Sequence, residues 1–174
     1  MKSYRLKNHN SADNDTTVNA SIEILDSKLK LNYQVVGDIF KYHFPSKTTQ
    51  QRADNLWLDT CFELFIANRD KDSYWEINIS PSTKWNSYHF IRYKEEMRES
   101  NLFLTPQIKI EKQKDKYELF FETTFSRGVL KEELDINLSV ILLNHKGKRN
   151  FYTINRRNDS PDFHNRATFA IFER

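Results

Sequence analysis

Apolar and polar residues alternate with a period of two along most of the chain, the pattern of β-strands that bury one face and present the other. TVNASIEIL (17–25) and KLKLNYQVVG (28–37) alternate on either side of Asp26-Ser27 and predict a tight hairpin. PQIKIEKQ (106–113) and KYELFFETTF (116–125) predict a second hairpin around Lys114-Asp115. Between them, TCFELFIA (60–67) and SYWEINIS (73–80) read as strands joined by the turn NRDKD, and KWNSYHFIRY (84–93) continues as another. INLSVILLNH (136–145) is the most apolar strand and is expected to be central, followed by NFYTINRR (150–157) and the closing ATFAIFE (167–173). DIFKYHFPSKTTQQRADN (38–55) and NDSPDFHNR (158–166) read as loops, and short helical turns are expected in 95–103 and 126–135. About ten short strands with turn signals between them, and no alternating helices, predict an all-β fold of antiparallel strands, a sandwich or a barrel.

Successive side chains of a strand point to opposite faces. Phe62, Leu64 and Ile66 then share one face with Trp75, Ile77 and Ile79, and these apolar faces meet in the core. Cys61, Glu63 and Phe65 share the other face, joined by Trp57 and Asp59 if the strand extends back to 57. Glu76 and Asn78 occupy the same side of the following strand. The carboxylates therefore need not enter the core, because they project from the opposite side of the sheet. Rings beside carboxylates and amides have the chemistry of a sugar site: rings stack on pyranose C–H faces, and the polar groups bond vicinal hydroxyls. A solvated outer face of an antiparallel sheet accounts for the same alternation without a ligand.

Composition narrows the options. The 174 residues suit one domain, residues 1–174, large enough for a core without disulfides or metal. Three Trp, eight Tyr and 13 Phe indicate a core built from rings. Only three glycines are present, and neither a phosphate-loop nor a dinucleotide-binding pattern occurs. With 27 Lys and Arg against 24 Asp and Glu, the net charge of +3 is too small to imply nucleic acid. The basic turn 146–149, Arg156-Arg157 and nearby Tyr152 read as solvated surface. No segment approaches the roughly 18 consecutive apolar residues of a membrane span. The N-terminus lacks the apolar core of a signal peptide, so the expected compartment is the cytoplasm.

The blocks LWLDTCFELFI (56–66) and YWEINISPS (74–82), then Trp85, Tyr88 and Phe90, and PDFH (161–164) before a Phe-rich last strand, resemble the bacterial DOMON-like, family 9 carbohydrate-binding-module-like proteins. The resemblance runs from about residue 17 onward. It implies a jelly-roll sandwich and a non-catalytic ligand-binding module, most of all for carbohydrate. Carried over by motif position, Trp57 looks like one ring of an aromatic clamp and Glu63 like its strand carboxylate. Asn78 and Glu76 look like polar partners, and Phe163 stands where the second ring belongs, a position at which sugar binders favour tryptophan. The implied partner is a small carbohydrate or similar polar ring ligand. A protein-interaction sandwich with a vestigial sugar site is the alternative, and a glycoside-processing enzyme using Glu63 and Glu76 a further one.

Other chemistries are weighed against this reading. Relatives in the wider DOMON group bind haem through Met and His, which here points to Met97 with His164 or His89. Asp159, Asp162 and Asn165 offer oxygens for calcium, without the usual loop pattern. No zinc spacing occurs among the five histidines and one cysteine, and Cys61 is expected to be an inert thiol. No cofactor and no metal are therefore expected.

Overall fold

The computed structural model describes residues 1–9, 15–157 and 160–174. Its strands are β1 (Lys2–Arg5), β2 (Lys7–Asn8), β3 (Thr16–Leu25), β4 (Lys28–Gly37), β5 (Cys61–Asn68), β6 (Tyr74–Ile79) and β7 (Trp85–Phe90). They continue with β8 (Arg98–Glu99), β9 (Gln107–Lys112), β10 (Lys116–Thr124), β11 (Glu133–Leu143), β12 (Arg149–Thr153) and β13 (Ala170–Glu173). A five-stranded sheet runs β1-β3-β4-β10-β9, and an eight-stranded sheet runs β2-β12-β11-β5-β6-β7-β8 with β13 paired to the first part of β11. Every strand ladder is antiparallel and the strands form two sheets, so of the sandwich and barrel that the alternation allows the fold is the all-β sandwich, of the jelly-roll-like type that the resemblance implies. Among the described residues no helix is long and apolar enough to cross a membrane.

Both predicted hairpins form. β3 and β4 pair from Thr16 opposite Gly37 to Leu25 opposite Lys28, and the turn holds Asp26 at a left-handed φ of 53°. Gly37 closes this ladder at φ +123°, where a β-carbon would lie 2.1 Å from the Asp15 carbonyl oxygen. Gly37→Ala therefore meets both a disfavoured backbone conformation and a backbone clash. It is expected to lower stability by about 1–3 kcal/mol, read as a lowered thermal midpoint.

The inward faces form one large apolar cluster. Phe62, Leu64 and Ile66 of β5, with Leu138 and Val140 of β11, pack across from strands β3, β4 and β10. The rings of Tyr33 and Phe62 stand 5.3 Å apart, and Tyr117 stacks parallel to Phe62 at 6.0 Å. β11 is interior, as its apolarity predicts, with β5 along one edge and β12 and β13 end to end along the other.

Three local expectations are corrected. The strand does not begin at 57: Leu56–Leu58 forms a 3-10 turn entered through Asn55 at φ 59°. The segment 95–103 contains no helix. It is a charged turn with Lys94 and Glu96 at positive φ, followed by the two-residue β8, because it has no apolar stripe to hold a helix against the sheet. The segment 126–135 is likewise turn, with Gly128 at φ 78°, and β11 starts within it at Glu133.

Candidate functional site

The outer face of the eight-stranded sheet carries a polar ladder. Thr153 of β12, Ser139 of β11, Glu63 of β5, Asn78 of β6 and Asn86 of β7 stand in register across five strands. The neighbouring row reads Asn137, Phe65, Glu76, Tyr88 and Glu99. Glu63 and Glu76 are thus diagonal neighbours on one face, about 7–8 Å apart at the backbone.

This face is not open to water, and here the structure corrects the sequence reading. Glu63 is 2% and Glu76 5% exposed. A second apolar cluster, with Phe65, Tyr74, Tyr88, Phe90, Ile141 and Phe163 among its buried members, closes over the face. Its covering rings come from β7, from the Leu56–Leu58 turn, from Phe151 of β12 and from the segment before β13. Asn137 ties that last segment down. Its Nδ2 donates to the Phe163 carbonyl at 3.2 Å, while its Oδ1 accepts from Thr153 Oγ1 at 2.7 Å.

The cover leaves a cavity of about 400 Å³, within the range of small-ligand sites. Trp57, Glu63, Glu76 and Phe163 all line it. Trp57 reaches it from the 3-10 turn, packed edge-on against Tyr88 at 6.0 Å, and not from an extension of β5. Phe163 is 8% exposed, with Phe65 and Phe151 rings 6.5 and 6.0 Å away, so most of its surface belongs to the wall. Asn78 does not line the cavity. It sits behind the carboxylates, where its Nδ2 donates to Glu76 Oε1 at 2.7 Å and its buried Oδ1 has no hydrogen-bond partner.

Burial sets the electrostatics. Loss of solvent pushes the Glu63 carboxyl well above its usual range, and the charge of Glu76 raises it further; hydrogen bonds from Ser139 and Cys61 oppose the rise. Ser139 Oγ donates to Glu63 Oε2 at 3.2 Å. Burial likewise lifts Glu76 to about 7, against the Asn78 hydrogen bond. His164 is depressed to about 4 by burial and then by Lys94, with Asp162 opposing. It is therefore neutral at pH 7, and its Nε2, 3.9 Å from Glu76 Oε2, makes a contact and not an ion pair. Its Nδ1 lies 2.8 Å from the Tyr74 hydroxyl. At the rim, Lys94 Nζ pairs with Asp162 Oδ1 at 2.9 Å, and Tyr93 donates to Asp162 Oδ2 at 2.6 Å.

Sequence reasoning missed part of this site. Phe65 was visible on the Glu63 face, and Phe90 lies on the same face by two-residue alternation from Asn86. Lys94, Pro161, Asp162 and Phe151 converge only through the fold. A second polar group adjoins the cavity behind Tyr88. Tyr88 donates to Asp54 Oδ1 at 2.7 Å, Asn86 Nδ2 donates to the same oxygen at 3.1 Å, and Arg52 donates to Asn86 Oδ1 at 2.7 Å. Arg52 and Asp54 come from the long loop before β5, where sequence carries no signal of register.

The other chemistries find less support in the geometry. Met97 and His164 both line the cavity, but His164 Nε2 faces a carboxylate, and two buried acids replace the apolar bed that a haem needs. These residues do not fit that group. His89 lies on the other face of the sheet, its ring 5.1 Å from Trp75. Of the calcium candidates, Asp159 lies outside the described residues, Asp162 is engaged by Tyr93 and Lys94, and Asn165 caps the 3-10 turn Arg166–Thr168. Cys61 is buried, and its thiol is pushed well above its ordinary range by loss of solvent and then by Glu63. Tyr152 is buried and offers no stacking face beside the basic turn. A larger depression, about 740 Å³, lies on the outer face of the five-stranded sheet. Two of its amides, Asn32 and Gln34, both donate to Glu118 within the protein.

Comparison with solved structures bears on the fold. A protein from Bacteroides uniformis with a provisional carbohydrate-binding assignment superposes with a TM-score of 0.71 at 14% identity, covering 99% of this chain and 86% of its own. A family 9 carbohydrate-binding module from Caldicellulosiruptor kristjanssonii, in complex with cellotriose, gives 0.60 at 12% identity over 99% of this chain and 81% of its own. This chain has a family 9 module's fold. The glucose complex from the same organism gives a TM-score of 0.55, also at 12% identity, over 98% of this chain and 83% of its own. No family model and no curated protein matches the sequence. The family 9 part of the sequence resemblance is matched at the level of the fold, and its DOMON part rests on the sequence motifs alone.

Proposed function

We propose that this protein is a non-catalytic carbohydrate-binding module whose site is the cavity over β5 and β6. The observation that carries the reading is the meeting of Trp57, Phe163, Glu63 and Glu76 on one cavity of about 400 Å³. Trp57 is the stacking surface, the exposed edge of Phe163 the opposing wall, and the two carboxyl groups bond vicinal hydroxyls. Asn78 holds Glu76 in place from behind. The volume suits one or two pyranose rings rather than a long chain. Two fold neighbours in complex with cellotriose and glucose support a sugar as the guest. A concave cavity, and not a flat apolar patch, favours a small ligand over a protein partner. The two carboxyl residues project from the same face of one sheet and not from opposite walls of a cleft, which favours binding over hydrolysis.

Each ring contact contributes on the order of 1 kcal/mol, so micromolar or weaker affinity is expected. Glycan-array and thermal-shift screening of the purified protein tests this, with Trp57→Ala as control. A bound sugar whose affinity drops about tenfold in the variant supports the site. Absence of any bound sugar, or equal binding by the variant, removes it.

A further inference from the structure

We propose that the cavity selects a pyranose bearing a protonated amine, with the ammonium seated between Glu63 and Glu76. This deepens the carbohydrate reading and rests on it.

The floor of the cavity has more acceptors than donors. Each ionised carboxylate offers about four lone-pair sites and no donor. Glu63 receives a hydroxyl hydrogen bond from Ser139 and a weak thiol one from Cys61, and Glu76 one amide bond, from Asn78. Behind them, outside the cavity lining, the buried Asn78 Oδ1 is a further acceptor without a partner, so it brings the pair no donor. Asn78 stands directly opposite Glu63 in the ladder and two residues from Glu76 on the same face, so the three acceptors form one group.

Among the described residues, no cation balances them. Among the described residues, no Lys or Arg lies within ion-pair distance of Glu63 or Glu76. Lys94 is committed to Asp162, and the Arg52 guanidinium bonds Asn86 and the Ser100 carbonyl. His164 is the ring in contact with Glu76, and it is neutral at pH 7. Burying acids without a partner is costly, and the unliganded floor answers by retaining protons.

A sugar hydroxyl supplies one donor and no charge. An ammonium supplies three donors and the missing charge in a single group. The walls suit it as well: Trp57, Phe65, Phe90, Phe151 and Phe163 surround the floor, and ring faces attract cations. The ammonium replaces protons held by the carboxyl pair, so binding releases protons to buffer.

The test is isothermal titration of the intact protein at pH 7 with glucosamine, N-acetylglucosamine and glucose. The amine is cationic only in the first. Glucosamine is expected to bind about tenfold more tightly than the other two, with proton release seen as different heats in buffers of different ionisation enthalpy. Glu76→Gln and Glu63→Gln, which keep side-chain shape, are expected to bring the glucosamine-to-glucose affinity ratio toward one. Glucose or N-acetylglucosamine binding as tightly as glucosamine overturns the amine inference and leaves the carbohydrate reading standing. A preference that survives both variants places the cation elsewhere and also overturns it. If none of the three sugars binds, and the glycan screen is silent as well, both readings fall together.

Discussion

Phe62→Ala lowers the unfolding free energy by about 3–5 kcal/mol, enough to remove much of the stability expected of a domain this size. Phe62 is fully buried and projects from β5 toward the five-stranded sheet. Its ring meets Tyr33 at 5.3 Å and Tyr117 at 6.0 Å, and Tyr117 in turn stacks on Phe44 at 4.0 Å. Truncation removes the ring that joins these contacts across the sandwich. Backbone ladders on both sides of β5 limit how far the site can collapse, so a cavity remains. Urea unfolding is expected to show a lower midpoint with an unchanged slope. A loss below about 1 kcal/mol would mean that Phe62 is not a central core residue.

The second large effect concerns pH. Burial raises Glu76 in the folded chain to about 7 from an ordinary 4.5. The native state then holds a proton that the unfolded state has released, so this group's stabilising contribution is full below about pH 4.5 and is lost as pH rises through about 7. His164 acts in the opposite sense. Its folded value of about 4 lies below the ordinary 6.5, so its contribution improves as pH rises through that window. The parent's own profile is therefore flattened by cancellation. The difference between Glu76→Gln and the parent isolates the carboxyl group. The variant is expected to gain on the order of 3 kcal/mol relative to the parent between pH 4.5 and pH 8, read from urea midpoints. The gain extends to higher pH through Glu63, whose own carboxyl is held up in part by the Glu76 charge. A constant difference across that range would show Glu76 to be ordinarily ionised and solvated.

The same pair explains why a site can carry acids inside strands this apolar. Glu63 and Glu76 are stabilising only when protonated or matched by donors. Free energy is stored at the floor of the cavity in the form of acceptors held out of water, and a ligand that supplies donors recovers it. The Phe62 and Glu76 substitutions act on opposite faces of adjacent strands, so their effects on stability are expected to add.

Alternation alone gave the class of fold, both hairpins and the sides of β5 and β6 on which each residue lies, because the side-chain period of a strand is two and its register is fixed wherever one face is buried. The motif blocks pointed to Trp57, Glu63, Glu76 and Phe163, which line one cavity, and to Asn78, which stands behind it. What covers the polar face was decided by tertiary structure. Phe151 and Phe163 arrive there from strands and turns about 90 to 100 residues away in sequence, and Trp57 arrives on a 3-10 turn that breaks the expected strand. A period in sequence records which way a side chain points. Whether water or another part of the chain meets it there depends on long-range contacts that leave no local pattern, and that contact, not the alternation, turned a half-polar sheet face into a buried, acid-floored cavity.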